Sequence, residues 1–330
     1  MSAPAKPARA WTPFAWLAQR VVLGDRALAW GTTAALLVSI LLVLTGGIVR
    51  ITGSGLGCPT WPVCEAGSLT TTPELGIHGA IEFGNRALTG LLILAVGWAI
   101  VAARLQPVRQ RPLTRLAWSQ FWLVVVNAVA GGITVLVDVN PYMVALHFLL
   151  AIALLTTTTL TWHRARQSAA AVPVGPRAGA LAWVLTAVAA VLVVLGTIVT
   201  GSGPHSGDSA AVHRMGFDWT VVTVVHGVAA VLTIVLAVAL LVVLRGGASL
   251  ARQRAVVLLV VLAAQAVIGI VQSLTGLPGV FVVLHLLGAA LVWVGVLRVL
   301  LDTHPALFGR VIPVRDVAAA PDRTAAAPVR

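Results

Sequence analysis

Eight apolar runs, each long enough to cross a bilayer, leave this chain few folds to adopt. A helix rises about 1.5 Å per residue and a hydrocarbon core is about 30 Å thick, so about 20 apolar residues make one crossing. Runs of that kind lie near residues 29–49, 79–103, 116–137, 143–162, 178–200, 219–244, 255–275 and 280–300. Lipid offers the backbone no hydrogen bonds, so each run has to satisfy its own N–H and C=O groups as a helix. Only 10% of the residues are charged. A soluble domain carries about 25%, so a water-facing surface is excluded. The expected fold is an all-α integral membrane protein with eight transmembrane helices.

The formal net charge of +12 would fit a nucleic-acid partner, but its placement argues otherwise. With these spans, 19 of the 22 Lys and Arg fall on one side of the membrane, and Arg50, Arg86 and Arg214 alone fall on the other. The positive-inside rule then puts both termini in the cytoplasm of a bacterial cell. The basic charge reads as a topology signal and a contact with membrane lipid, with no nucleic acid as partner. The first 25 residues are rich in Pro, Trp and Arg, and no small-residue cleavage site follows the first apolar run. They do not read as a cleavable signal.

The chain repeats itself. NAVAGGITV from Asn127 leads to ALH ending at His147, and QAVIGIVQS from Gln265 leads to VLH ending at His285. Both pairs are 138 residues apart. TGGIVRITGSG from Thr45 likewise resembles GTIVTGSG from Gly196. A repeat of four spans is even, so the copies face the same way and are related by a pseudo-twofold axis along the membrane normal. The expected organisation is a cytoplasmic segment 1–28, a four-helix half 29–162, a linker 163–177, a second half 178–300 and a disordered cytoplasmic tail 301–330. Pro173, Gly175 and Pro176 mark the linker.

Polar groups inside spans are costly and mark sites. His147, His226 and His285 all fall roughly 7–12 Å below the outer ends of their helices. In the second half, His226 and His285 face each other at one depth, the constellation for axial ligation of a haem iron in a helix bundle. The first half has His147, but Asn85 stands where His226 has its counterpart. It also has a carboxylate, Glu82, with Thr223 at the matching position. His78, Glu82 and Asn85 share one helix face. Glu82 reads either as a proton carrier or electrostatic group, or as the salt-bridge partner of Arg86. Cys58 and Cys64 lie in the first outer loop, on an oxidising side, where a disulfide is either a staple or a redox-active pair. His205 and His213, near Asp208 and Asp218, read as solvated loop residues, with His205 in reach of a haem propionate.

Together these residues resemble the haem A synthase family. The likeness rests on TGSGLGC from Thr52 with Trp61, Pro62 and Cys64, on Glu82-x-x-Asn85-Arg86, on TGSGPHSGD from Thr200, and on the histidines of the fourth, sixth and eighth helices. It covers about residues 29–300, and the Ala, Val and Arg richness looks actinobacterial. The resemblance implies oxidation of a haem O methyl to a formyl group by two hydroxylations and loss of water. It implies a haem b cofactor ligated by His226 and His285, and a haem O substrate in the first half with His147 as iron ligand. Glu82 would be the essential acidic residue, and Cys58–Cys64 the family's disulfide. The implied partners are the haem O-producing farnesyl transferase, the cytochrome c oxidase assembly pathway and an electron donor that the sequence does not identify. One departure stands out: the family has a second His where this chain has Asn85. His78, on the same face, is the candidate to replace it, but it lies about 10 Å along the axis and reaches the same iron only if the helix shifts or breaks at Gly79 or Gly84, so the substrate haem is expected to be held mainly by His147, with Asn85 near the open axial position. The competing readings are a non-catalytic bis-His electron-transfer cytochrome and a small-molecule or haem transporter.

Overall fold

The computed structural model describes residues 13–166, 174–205, 207, 213–246, 249–305 and 307. Among these residues the fold is entirely helical. A short helix α1 (Pro13–Ala18) precedes eight long ones: α2 (Asp25–Ile51), α3 (Gly76–Arg104), α4 (Arg111–Leu136), α5 (Pro141–Arg164), α6 (Pro176–Ser202), α7 (Trp219–Val243), α8 (Leu250–Leu274) and α9 (Gly279–Thr303). All eight are long and apolar enough to span a bilayer.

Each apolar run became one helix, but several helices outlast the run. Helix α4 begins at Arg111 and α8 at Leu250, five residues before the apolar stretch in each case. Pro112 occupies the first turn of α4, where a missing N–H costs nothing. Ser249 caps α8, its Oγ accepting from Arg252 N at 3.2 Å. Hydropathy records what lies in lipid; caps record where a helix starts. Helix α1 has no such signature. It is held by Phe14, which meets Trp118 edge-on at 6.3 Å and lies under the Arg104 guanidinium at 5.0 Å. The expected linker narrows, since α5 runs to Arg164 and α6 starts at Pro176. Residues 167–173 of that linker, residues 1–12, Asp208, and the tail apart from 301–305 and 307 lie outside the described residues.

The helices contact one another in two closed rings, α2–α3–α4–α5 and α6–α7–α8–α9. Helix α2 also packs on α9, α5 on α6, and α5 on α9, which joins the rings. Eight crossings return the chain to the face it started from. That terminal face carries the short α3–α4, α5–α6 and α7–α8 connections. The opposite loop face carries the stretches 52–75 and 203–218.

Burial is concentrated toward the terminal face. One core gathers Leu28, Ala35, Leu92, Val96, Ile100, Leu113 and Ala117 of the first ring. The other gathers Leu185, Leu240, Leu258, Val296 and Leu300 of the second and reaches Leu36 and Leu155 across the seam. At the loop face the rings differ. The buried residues of α7 begin at Thr233, those of α8 end at Leu262 and those of α9 begin at Gly288. In the first ring Gly79, Glu82, Ala130, Gly132 and Val135 are buried near that face.

Candidate functional site

In the second ring, α7 is set by Asp218, whose carboxylate caps it by accepting from Val221 N at 2.9 Å. Helix α9 follows a tight turn in which Leu277 takes φ 60°. These starts bring His226 and His285 together, with ring centroids 6.3 Å apart. Two imidazoles on opposite sides of one metal ion, with metal–nitrogen bonds of about 2.0 Å, put their ring centres about 6 Å apart. Nδ1 of each ring is buried and closes no ordinary hydrogen bond. The two rings therefore fit an axial pair. Among the described residues no third His, Cys, Asp or Glu joins them.

Each imidazole rests on a glycine of a neighbouring helix. A Cβ at Gly269 would stand 3.5 Å from His285 Cε1, one at Gly196 3.3 Å from His226 Cε1, and one at Gly131 2.9 Å from His147 Cε1. Gly131 and Gly269 are 138 residues apart, as His147 and His285 are, so the repeat carries the cradle as well as the ligand. Backbone carbonyls approach two of the rings, Asn127 at His147 and Leu192 at His226. Ligating imidazoles are commonly oriented in this way.

The first ring is built differently. Asn85 on α3 turns its amide toward α2 and donates from Nδ2 to Thr45 Oγ1 at 2.8 Å. It lines a cavity of about 330 Å³ with Thr45, Ile48, Ala80, Gly84 and Leu88. One turn earlier, Glu82 is buried and both its oxygens are engaged. Oε2 accepts from Cys58 N at 2.7 Å, and Oε1 accepts from Arg86 at 2.5 Å. Arg86 also donates to the carbonyls of Cys58, Thr60 and Val63 at 3.1, 3.0 and 3.2 Å. The Glu82–Arg86 pair, spaced i and i+4 on one helix, therefore holds the loop that Cys58 and Cys64 close with a disulfide. Both cysteines are fully buried.

That loop roofs the ring. Trp61 lies over Gly132 of α4, and Gly57 approaches the His78 carbonyl so closely that any side chain there would collide. His78 is exposed in the first turn of α3. Its Nδ1 bonds Ser54 Oγ at 2.9 Å, which bonds Thr52 Oγ1 at 2.7 Å. The sequence placed His78, Glu82 and Asn85 on one face. The structure gives them three separate sets of partners: His78 the loop start, Glu82 the disulfide loop, Asn85 helix α2.

Several participants were not apparent in the sequence. Arg50, at the end of α2, donates to the carbonyls of His205 and Thr200 at 2.7 and 2.6 Å, and Gly55 N donates to Gly207 O at 2.8 Å. These bonds stitch the loops of the two rings together. His205 is not a free loop residue, since its Nε2 bonds the Leu277 carbonyl at 2.9 Å. His213 is exposed. The glycine cradles did have a signal, because Gly131 and Gly269 occupy the same place in the repeated runs.

Comparison with known proteins gives a family match. A family model described as cytochrome oxidase assembly protein (COX15-CtaA) matches residues 29–297. A heme A synthase of Symbiobacterium thermophilum is 35% identical over 199 residues, 56% of this chain and 61% of that protein. One from Staphylococcus haemolyticus is 31% identical over 128 residues, 38% of this chain and 41% of the relative. One from Geobacillus thermodenitrificans is 32% identical over 111 residues, 33% of each. The chain thus spans between a third and about three fifths of the length of these relatives.

Proposed function

The chain belongs to the COX15-CtaA family of cytochrome oxidase assembly proteins, and from that membership and its site we propose that it is a haem A synthase. It oxidises a methyl group of haem O to a formyl group through two hydroxylations and loss of water from the geminal diol. The observation that carries the reading is the inequality of the rings. One brings two imidazoles to 6.3 Å from each other, and the other has Asn85 tied to Thr45 at the position matching His226, with a buried carboxylate, Glu82, under a disulfide loop. The shared names of the relatives support it.

In this reading His226 and His285 would hold a haem b, which would supply electron transfer. His147 holds the substrate porphyrin by its iron. Gly131 leaves room for the ring of His147, and Asn85, tied to Thr45, does not compete as a second ligand. Glu82 presents a buried negative charge whose orientation is fixed by Cys58 N–H and Arg86. A carboxylate with both oxygens already bonded suits stabilisation of positive charge developing at the oxidised methyl carbon better than proton shuttling. The loop over the ring keeps water from the reacting carbon. The two rings are related by a pseudo-twofold axis, supported by the 138-residue spacing of both ligands and cradles. The protein sits in a bacterial cell membrane with the terminal face cytoplasmic, where the Lys and Arg collect, and the loop face outside. The haem O-forming farnesyl transferase, the oxidase assembly pathway and an electron donor are its partners.

Co-expression with a haem O source, followed by extraction and chromatography of the pigments, tests the activity. Haem A is expected to accumulate, and to be lost in Glu82→Ala. Unchanged haem O beside well-folded protein would sink the proposal.

A further inference from the structure

At the terminal face, well away from the imidazoles, the seam between the rings gathers charge. Asp302 on α9 faces His163 Nε2 of α5 at 3.4 Å and Arg254 Nε of α8 at 3.6 Å. Arg298, one turn before Asp302, interacts with both Asp302 and Arg254 and lies over the Trp162 ring at 5.0 Å. Arg166 lies over the same indole at 4.9 Å. Arg164 is engaged nearby with the Leu307 carbonyl. Among the described residues Asp302 is therefore the one carboxylate shared by Arg254, Arg298 and His163.

That carboxylate does not satisfy them. Nε of Arg298 is buried without a hydrogen-bond partner, and Arg254 Nε and Asp302 Oδ2, both buried, have only each other across their gap. The Arg254–Asp302 contact at 3.6 Å is an ion pair too long for a hydrogen bond. Two planar guanidinium forks with donors to spare, around one anion, is an arrangement that takes up a further anion with several oxygens. The side chain of Asp302 is 7% exposed and that of Arg254 is 31% exposed, so approach is from the Arg254 side.

We propose that Arg254 and Arg298, with Trp162 beside them, form a binding site for the phosphate of an anionic phospholipid headgroup. The position argues for lipid as the source. All these residues lie in the last or first two turns of membrane-spanning helices, at headgroup depth. The described terminal face carries thirteen arginines, from Arg20 to Arg298, against Asp25 and Asp302. Basic pockets between helix ends on such a face are where headgroups dock. The site lies in the seam, touching α5 of one ring and α8 and α9 of the other, so a bound headgroup bridges the rings. It is independent of the proposed chemistry at the loop face.

The test uses the full chain in non-ionic detergent, with phosphatidylglycerol, phosphatidylcholine and soluble glycerol 3-phosphate as probes, read by native mass spectrometry. One phosphatidylglycerol per chain is expected to be retained in preference to phosphatidylcholine. Its affinity should fall about tenfold or more in Arg254→Gln and in Arg298→Gln, consistent with loss of one charge-assisted contact. Asp302→Asn, which removes the competing carboxylate, should raise it several-fold. Arg254→Lys keeps the charge and serves if the Gln variant does not fold; it is expected to bind at an intermediate level. A purely structural ion pair would make Asp302→Asn weaken retention as the arginine variants do, and that result overturns the proposal. Glycerol 3-phosphate bound as tightly as the lipid, or phosphatidylcholine bound as tightly as phosphatidylglycerol, overturns the headgroup assignment.

Discussion

The two rings of helices share a scaffold and part ways at the loop face. In the second ring α7 and α9 present two imidazoles to each other, each ring resting on a glycine of a neighbouring helix. In the first ring the same end is roofed by a disulfide loop, held from beneath by Glu82 and Arg86. The contrast teaches what each site is suited to do. A permanently held group needs little more than ligands and space. A substrate that enters, reacts and leaves needs a charge placed at the reacting atom and a cover anchored beside it.

The largest effect that would break this comparison lies in the ligands. His226→Ala or His285→Ala is expected to remove the bound haem and its visible absorption, whereas His147→Ala keeps it. Equal loss in all three would show that the rings do not divide the work. Next comes the carboxylate pair. Glu82→Gln and Arg86→Ala should each cut haem A formation about 10²–10³-fold, the scale of losing one preorganised electrostatic group. Both should leave the second ring's absorption unchanged, and a shifted spectrum would show that the loop reaches across the seam. Opening the disulfide with Cys58→Ser and Cys64→Ser should then destabilise the roof by about 2 kcal/mol, the closure entropy of so short a loop. Limited proteolysis within residues 58–64 would follow the change. The smallest effect separates the cradles. Gly131→Ala brings a methyl 2.9 Å from His147 and should cost about 1 kcal/mol in substrate binding. Gly269→Ala meets His285 at an ordinary 3.5 Å and should leave the haem spectrum in place.

The spans were legible because lipid imposes one rule on every residue that crosses it. The histidines proposed as ligands stood out because polar residues there are rare and the repeat set two of them at one spacing. What escaped depends on acceptors that sequence does not mark. Arg86 and Arg50 spend their donors on the backbone carbonyls of distant loops, and every residue has a carbonyl. The salt bridge of Glu82 to Arg86 was weighed from the sequence, but its bond to Cys58 N–H was not, because a backbone donor also leaves no pattern. Asn85 showed that α3 has no histidine at the position matching His226; only the fold showed its amide turned to Thr45. Helix α1 was missed because six residues held by Phe14 and Arg104 contacts have no periodicity to read.

The gathering of buried side chains toward the terminal face bears on the order of assembly. The cohesion of both rings comes from residues such as Leu92, Leu113, Leu240 and Leu258, away from the imidazoles. A newly inserted chain can therefore reach its helix arrangement before any pigment arrives. If the rings hold haem as proposed, loading becomes a maturation step performed on a finished scaffold, and a shortage of porphyrin would leave intact protein waiting in the membrane instead of unfolded chains for proteases to clear.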